Sequence, residues 1–149
     1  HYVLIAGLAG TIPDLDFAAK WFLYLFGFQN YDVHRLFTHS IIIPIIFFAL
    51  YLIFKIEKIN VKELGRHKLK LNLIFLMIST GILTHLILDS LFGTLIIPFY
   101  PFSAASFGIN LINYLPVPLQ DSFLLILDGA LLIIYLLYLE IKHKISDFI

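Results

Sequence analysis

Apolar runs separated by short polar stretches organise this chain, and the elements they predict are helices. Three of them, Ser40 to Phe54 (SIIIPIIFFALYLIF), Leu71 to Asp89 (LNLIFLMISTGILTHLILD) and Phe123 to Ile141 (FLLILDGALLIIYLLYLEI), dominate the pattern. Each approaches the roughly 20 residues that a helix needs to cross a hydrocarbon core of about 30 Å. A fourth run, Tyr2 to Ile12, is too short to span alone. Because the sequence begins at His1 and not at Met, that run is expected to have a missing or processed start. Phe17–Phe28 (FAAKWFLYLFGF) is apolar but carries Lys20 and Trp21. It predicts an interfacial or re-entrant segment, since Trp and Tyr favour the headgroup level. Gly93 to Gln120 holds Pro98, Pro101, Pro116 and Pro118 with several aromatics and no charge. Proline at this density argues against a continuous helix, so a lid or re-entrant element on the outer side is expected. The pattern predicts an all-α integral membrane bundle, with three to four transmembrane helices and a re-entrant or interfacial outer segment. It forms a single domain over 1–149, with the last transmembrane helix at 123–141.

Composition strengthens the membrane reading. The chain is 60% hydrophobic and 13% charged, with a mean hydropathy of +0.95. Soluble domains carry about 45–50% apolar and about 25% charged residues, so much of this surface is expected to face lipid. Net charge is zero, which leaves no global field to recruit nucleic acid. The expected partners are the lipid bilayer and a small-molecule or lipid substrate. Charge distribution is more informative. Of ten Lys and Arg, six (Lys55, Lys58, Lys62, Arg66, Lys68 and Lys70) lie between the first two long runs. Lys142 and Lys144 come after the third. Three spans put both clusters on one side, and the positive-inside rule makes that side cytoplasmic. The loop 55–70 and the C-terminus are therefore expected in the cytoplasm.

Several ionisable residues gather at the opposite face, while His67 and His143 sit in the basic segments and are most simply solvated. Asp14 and Asp16, in Pro13-Asp14-Leu15-Asp16, close the first apolar run. Asp32, His34, Arg35 and His39 fall just before the Ser40 run. His85 and Asp89 lie at the far end of the Leu71 run. Consecutive spans run in opposite directions, so the start of one and the end of the next meet at one depth. His85 and Asp89 are four apart and share a helix face. The absence of cysteine restricts metal ligands to His, Asp and Glu. Three aspartates and three imidazoles suit one or two divalent ions, Zn²⁺ first, with Mn²⁺ or Fe²⁺ as alternatives. Such ions lower the pKa of bound water towards about 7. Arg35 beside His34 is placed to hold an anionic substrate by a bidentate contact. Each piece has a plainer reading. Proline–aspartate is a routine turn or cap, and a single His in an apolar helix is often a hydrogen-bonded core residue. Their convergence on one face favours a metal site. Asp128, inside the third run, is most simply a packing polar group. His1 lies about 18 Å from Asp14 along a continuous helix at 1.5 Å per residue, so geometry leaves it out.

The residues also resemble a known family, the LexA-regulated, membrane-bound metal-dependent hydrolases (the YdjM-like family). The matching features are His1 with Gly7 and Gly10, then Pro13-Asp14-Leu15-Asp16, His34-Arg35 and Thr38-His39-Ser40. His85 with Asp89, Gly93 and Pro101-Phe102-Ser103 come next in the same order. The resemblance covers about residues 1 to 105. It implies an inner-membrane hydrolase with divalent metal, the Asp and His residues above as ligands, and His1 as a further ligand despite its distance. The expected activity is hydrolysis of a phosphoester or similar anionic, lipid-like substrate at the outer membrane face. Two other functions share the same residues. One is a non-catalytic membrane protein with a structural metal site. The other is a metal-ion transporter component, against which the apolar cytoplasmic halves of the spans argue.

Overall fold

A computed structural model describes residues 1–26, 37–57, 64, 68–93 and 95–143. The regular elements among them are helical: α1 Tyr2–Gly10, α2 Leu15–Leu25, α3 Ile42–Ile56, α4 Leu71–Phe92, a 3₁₀ turn Leu111–Tyr114, and α5 Val117–His143. The chain divides into two compact units, His1–Asn110 and Leu111–Ile149.

In the first unit α4 is the central element. Its 22 residues make about 33 Å of helix, and it is the helix among the described residues long and apolar enough to cross a membrane. Three to four crossings are therefore not established. α3, at 15 residues, is about 22 Å long. It tolerates Pro44 because that residue lies in the first turn, where a missing N–H costs no intrahelical bond. The α3–α4 pair is antiparallel. Near the start of α3, the buried Ser79 hydroxyl donates to the Pro44 carbonyl at 2.8 Å. Further along, Phe47 and Phe54 both meet the Phe75 ring.

α1 packs on α4 in parallel. The Lys70 N–H donates to the Tyr2 hydroxyl at 2.8 Å, joining the two helix starts, and Ala6, Ala9 and Gly10 reach Gly81 further along. A Cβ at position 81 would overlap the Ala6 carbonyl oxygen. Glycine lets the two backbones touch, a packing device of helices in lipid, where small residues replace the missing hydrophobic drive. The buried apolar core is small: Ala9, Ile82, Leu86 and Ile96, with Ile12, Ile43, Phe47 and Ile78 against it. Outward positions such as Ile45, Phe48, Ile87 and Leu88 are apolar and exposed. An apolar outer face is costly in water and natural in a bilayer.

Residues 95–110 fold back over the start of α3 and the end of α4. Ile96 and Phe107 form an antiparallel bridge through two hydrogen bonds of 2.9 and 2.8 Å. The Ile41 N–H donates to Pro98 O at 2.9 Å and the Ile109 N–H to Ser90 O at 2.7 Å. The buried Ser40 hydroxyl donates to Tyr100 O at 2.8 Å. The expected outer element thus ends near Asn110, earlier than its proline content indicated. In the second unit α5 begins at Val117, with Pro118 in its first turn, the one place where a helix accepts proline readily. α5 contains the expected 123–141 segment. Of the expected Phe17–Phe28 segment, residues 17–25 lie in α2, with Trp21, Phe22 and Tyr24 exposed, and residues 27 and 28 lie outside the described residues.

Candidate metal centre

The site forms where the end of α1, the turns before α2 and α3, and the last third of α4 meet. α1 stops at Thr11, whose hydroxyl donates to Leu8 O at 2.8 Å, and the buried Pro13 turns the chain. Asp14 sits next in the turn, and Asp16 enters the first turn of α2, where the helix dipole favours a carboxylate. His39 sits two residues ahead of the α3 N-cap, Ile41, and is completely buried. α4 carries His85 and Asp89 one turn apart. Because α1 runs parallel to α4 and α3 runs against it, these segments arrive at one level.

Their side chains converge. His39 Nε2 lies 3.3 Å from Asp89 Oδ2 and 3.8 Å from Asp14 Oδ1. His85 Nε2 lies 3.6 Å from Asp14 Oδ1 and 3.8 Å from Asp89 Oδ2. The imidazole rings are 5.4 Å apart between centroids, nearly edge to face. One ligand atom each from Asp14, His39 and His85 falls within 4.8 Å of the others. Four of these nitrogen–oxygen separations, 3.3 to 3.8 Å, exceed the 2.7–2.9 Å or so of a charge-assisted hydrogen bond. They are close to the edge of a tetrahedron with bonds near 2.1 Å, about 3.4 Å. His85 Nε2 is moreover buried without a hydrogen-bond partner, an arrangement that costs free energy unless something else satisfies the lone pair. Gathering carboxylates about two imidazoles adds a further need for positive charge. The donor set could hold a metal ion.

Asp16 is placed differently. Its carboxylate is buried, at 5% exposure, and lies on the Nδ1 side of His39, with Oδ2 3.5 Å from that nitrogen. The Thr38 hydroxyl donates to the same oxygen at 2.7 Å and lies 3.1 Å from His39 Nδ1. In the sequence Thr38 stands out only as part of a family-like triplet, because a hydroxyl beside a histidine carries no signal of its own. Expected ligands thus separate into those facing the centre (Asp14, His39, His85, Asp89) and Asp16 behind His39. His34 and Arg35, with Asp32, lie outside the described residues, as does the Asp128 side chain. His1 is exposed ahead of α1, at the end that Tyr2 ties to Lys70. Fifteen residues of α4 separate Lys70 from His85, about 22 Å of helix, so His1 stands apart from the cluster.

A family model described as YdjM inner membrane protein matches residues 1–145. Comparison with curated proteins and with solved structures yields no significant match.

Proposed function

Since the chain belongs to the family of YdjM inner membrane proteins, we propose that it is a membrane-bound, metal-dependent hydrolase of a phosphoester or similar anionic, lipid-like substrate. Asp14, His39 and His85 would hold the ion, with Asp89 completing the set. The observation that carries this reading is the pair of imidazole Nε2 atoms facing two carboxylates at 3.3 to 3.8 Å. A bound divalent ion would supply polarisation of a substrate oxygen and a water of lowered pKa. The chain's own residues set its surroundings. His39 and Asp16 are buried and exclude bulk water from one side of the centre. The Asp14 side chain is half exposed, which leaves the opposite side accessible. An accessible side favours catalysis over a purely structural metal, because structural sites are closed by their ligands. Arg35, two residues before Phe37, is proposed to steady the anionic group from the same face, and His34 to serve as a further ligand. The face itself is proposed to be the outer one, with the basic loop and C-terminus in the cytoplasm.

The test is the metal content of detergent-purified protein, compared with the Asp14→Ala/His85→Ala double variant, and then a panel of phosphoesters. Stoichiometric Zn, Mn or Fe that is lost in the double variant, with helical circular dichroism retained, supports the site. Metal-dependent turnover then supports hydrolysis. A wild type that takes up none of these ions sinks the reading, and bound metal without turnover on any phosphoester favours a structural centre.

A further inference from the structure

Asp16 and Thr38 do not face the centre, yet they form a close polar contact beside it. The Thr38 hydroxyl has a single proton, which it gives to Asp16 Oδ2 at 2.7 Å. Towards His39 Nδ1, 3.1 Å away, only its oxygen lone pairs remain. Two acceptors, Thr38 Oγ1 and Asp16 Oδ2, therefore face Nδ1, and the nitrogen that meets them must carry the ring's proton. In a neutral imidazole the proton on one nitrogen leaves the other bare. The bare atom is Nε2, which faces Asp14 and Asp89.

We propose that Asp16 and Thr38 are positioning residues: a relay His39 Nδ1–H to Thr38 to Asp16 that locks the tautomer and ring orientation in which His39 offers Nε2 to the ion. The inference rests on the proposed metal centre for its purpose, but the relay is argued from contacts among Asp16, Thr38 and His39 alone. Asp16 is then not a ligand, although its spacing from Asp14 suggests one. A carboxylate behind a ligating imidazole raises the basicity of the ligand, and loss of such a partner typically weakens metal binding by about 10- to 100-fold. The position of Asp16 also explains its burial. A carboxylate with a hydroxyl donor and an imidazole N–H is compensated where an isolated one would not be.

Two measurements on the same preparations test this. In metal-free protein labelled with ¹⁵N-histidine, two-bond ¹H–¹⁵N spectra report the tautomer of His39. The wild type is expected to show Nδ1–H, Thr38→Val to lose that preference, and Thr38→Ser to restore it. An Nε2–H tautomer in the wild type overturns the relay. Co²⁺ titration monitored by visible absorption then reads the ligand set. Thr38→Val and Asp16→Asn are expected to bind Co²⁺ about 10- to 100-fold more weakly, with the band positions and intensity of the wild type. Asp14→Ala should alter the bands themselves. An Asp16→Asn spectrum altered as in Asp14→Ala makes Asp16 a ligand and overturns the proposal, as does unchanged affinity in Thr38→Val. A wild type that binds no Co²⁺ while showing the Nδ1–H tautomer refutes the metal centre and leaves the relay standing, so the two failures are distinct.

Discussion

His85 meets the centre through one atom, Nε2, buried and without a hydrogen-bond partner, on a helix that packs through the buried Ile82 and Leu86. Replacing it removes a proposed ligand without disturbing the packing of Ile82 or Leu86. His85→Ala is therefore expected to abolish the proposed hydrolysis while leaving membrane insertion and helical dichroism unchanged. Loss of insertion would instead make the residue structural. The His85–Asp89 pair was legible from its spacing alone, because four residues on a helix fix a shared face. The roles of Asp14 and Asp16 were not. Two carboxylates one residue apart can flank a partner on either side. The start of α2 at Leu15 separates them, carrying Asp16 round to the Nδ1 side of His39. Nothing in the local sequence states where that imidazole will lie.

Helices α1 and α4 are joined where Gly81 meets Ala6 and Ala9. A larger side chain must push the helices apart, and overpacking of this kind costs about 1–3 kcal/mol. Gly81→Leu is expected to lower the thermal midpoint in detergent and to weaken metal binding, since Asp14 hangs from the end of α1. A variant that melts lower but binds metal normally would show that Asp14 is placed by other contacts. Ser40→Ala removes the hydroxyl that holds Tyr100 O, a loss of about 0.5–1.5 kcal/mol. Faster amide exchange at Ile41, whose N–H donates to Pro98 O, is the expected readout, with exchange in mid-α4 unchanged. The extents of α3 and α4 were largely legible, because long apolar runs bounded by charge leave little choice. The start of α5 was not. Proline in a sequence reads as a breaker, yet Pro116 and Pro118 stand at a helix entrance, where fixed φ favours helix. The packing of residues 95–110 was equally hidden, since it rests on backbone bonds such as Ile109 to Ser90.

Across the whole molecule, the antiparallel pairing of α3 with α4 places Lys55 and the metal cluster at opposite ends of one helical unit. The family assignment puts that unit in the inner membrane. Because the chain has no cysteine, single cysteines can report orientation cleanly. Ala104→Cys, near the cluster end, is expected to react with an impermeant maleimide on spheroplasts, whereas Lys55→Cys should react only after lysis. The reverse pattern would invert the proposed topology and place the substrate in the cytoplasm. Convergence of the distant motifs was legible from helix direction, since the start of α3 and the end of α4 meet at one level, where His39 approaches His85 and Asp89. Which helix pairs run parallel was not, because it depends on single contacts such as Tyr2 with Lys70.

The backbone contact at Gly81 also constrains how the chain can change in length. With Ala6 and Ala9 seated against α4, the residues from Gly10 to Asp14 act as a ruler. Removing one residue between Ala6 and Gly10, within α1, would turn the downstream chain by about 100° and shift it by about 1.5 Å, carrying Asp14 away from His85. The ends of the connection between α3 and α4, Ile56 and Lys70, lie at the far end of these helices from the cluster. Insertions and deletions are thus expected to be tolerated there and rejected before Asp14, so that in a library of length variants the metal centre survives according to where the chain is cut and not how much is removed.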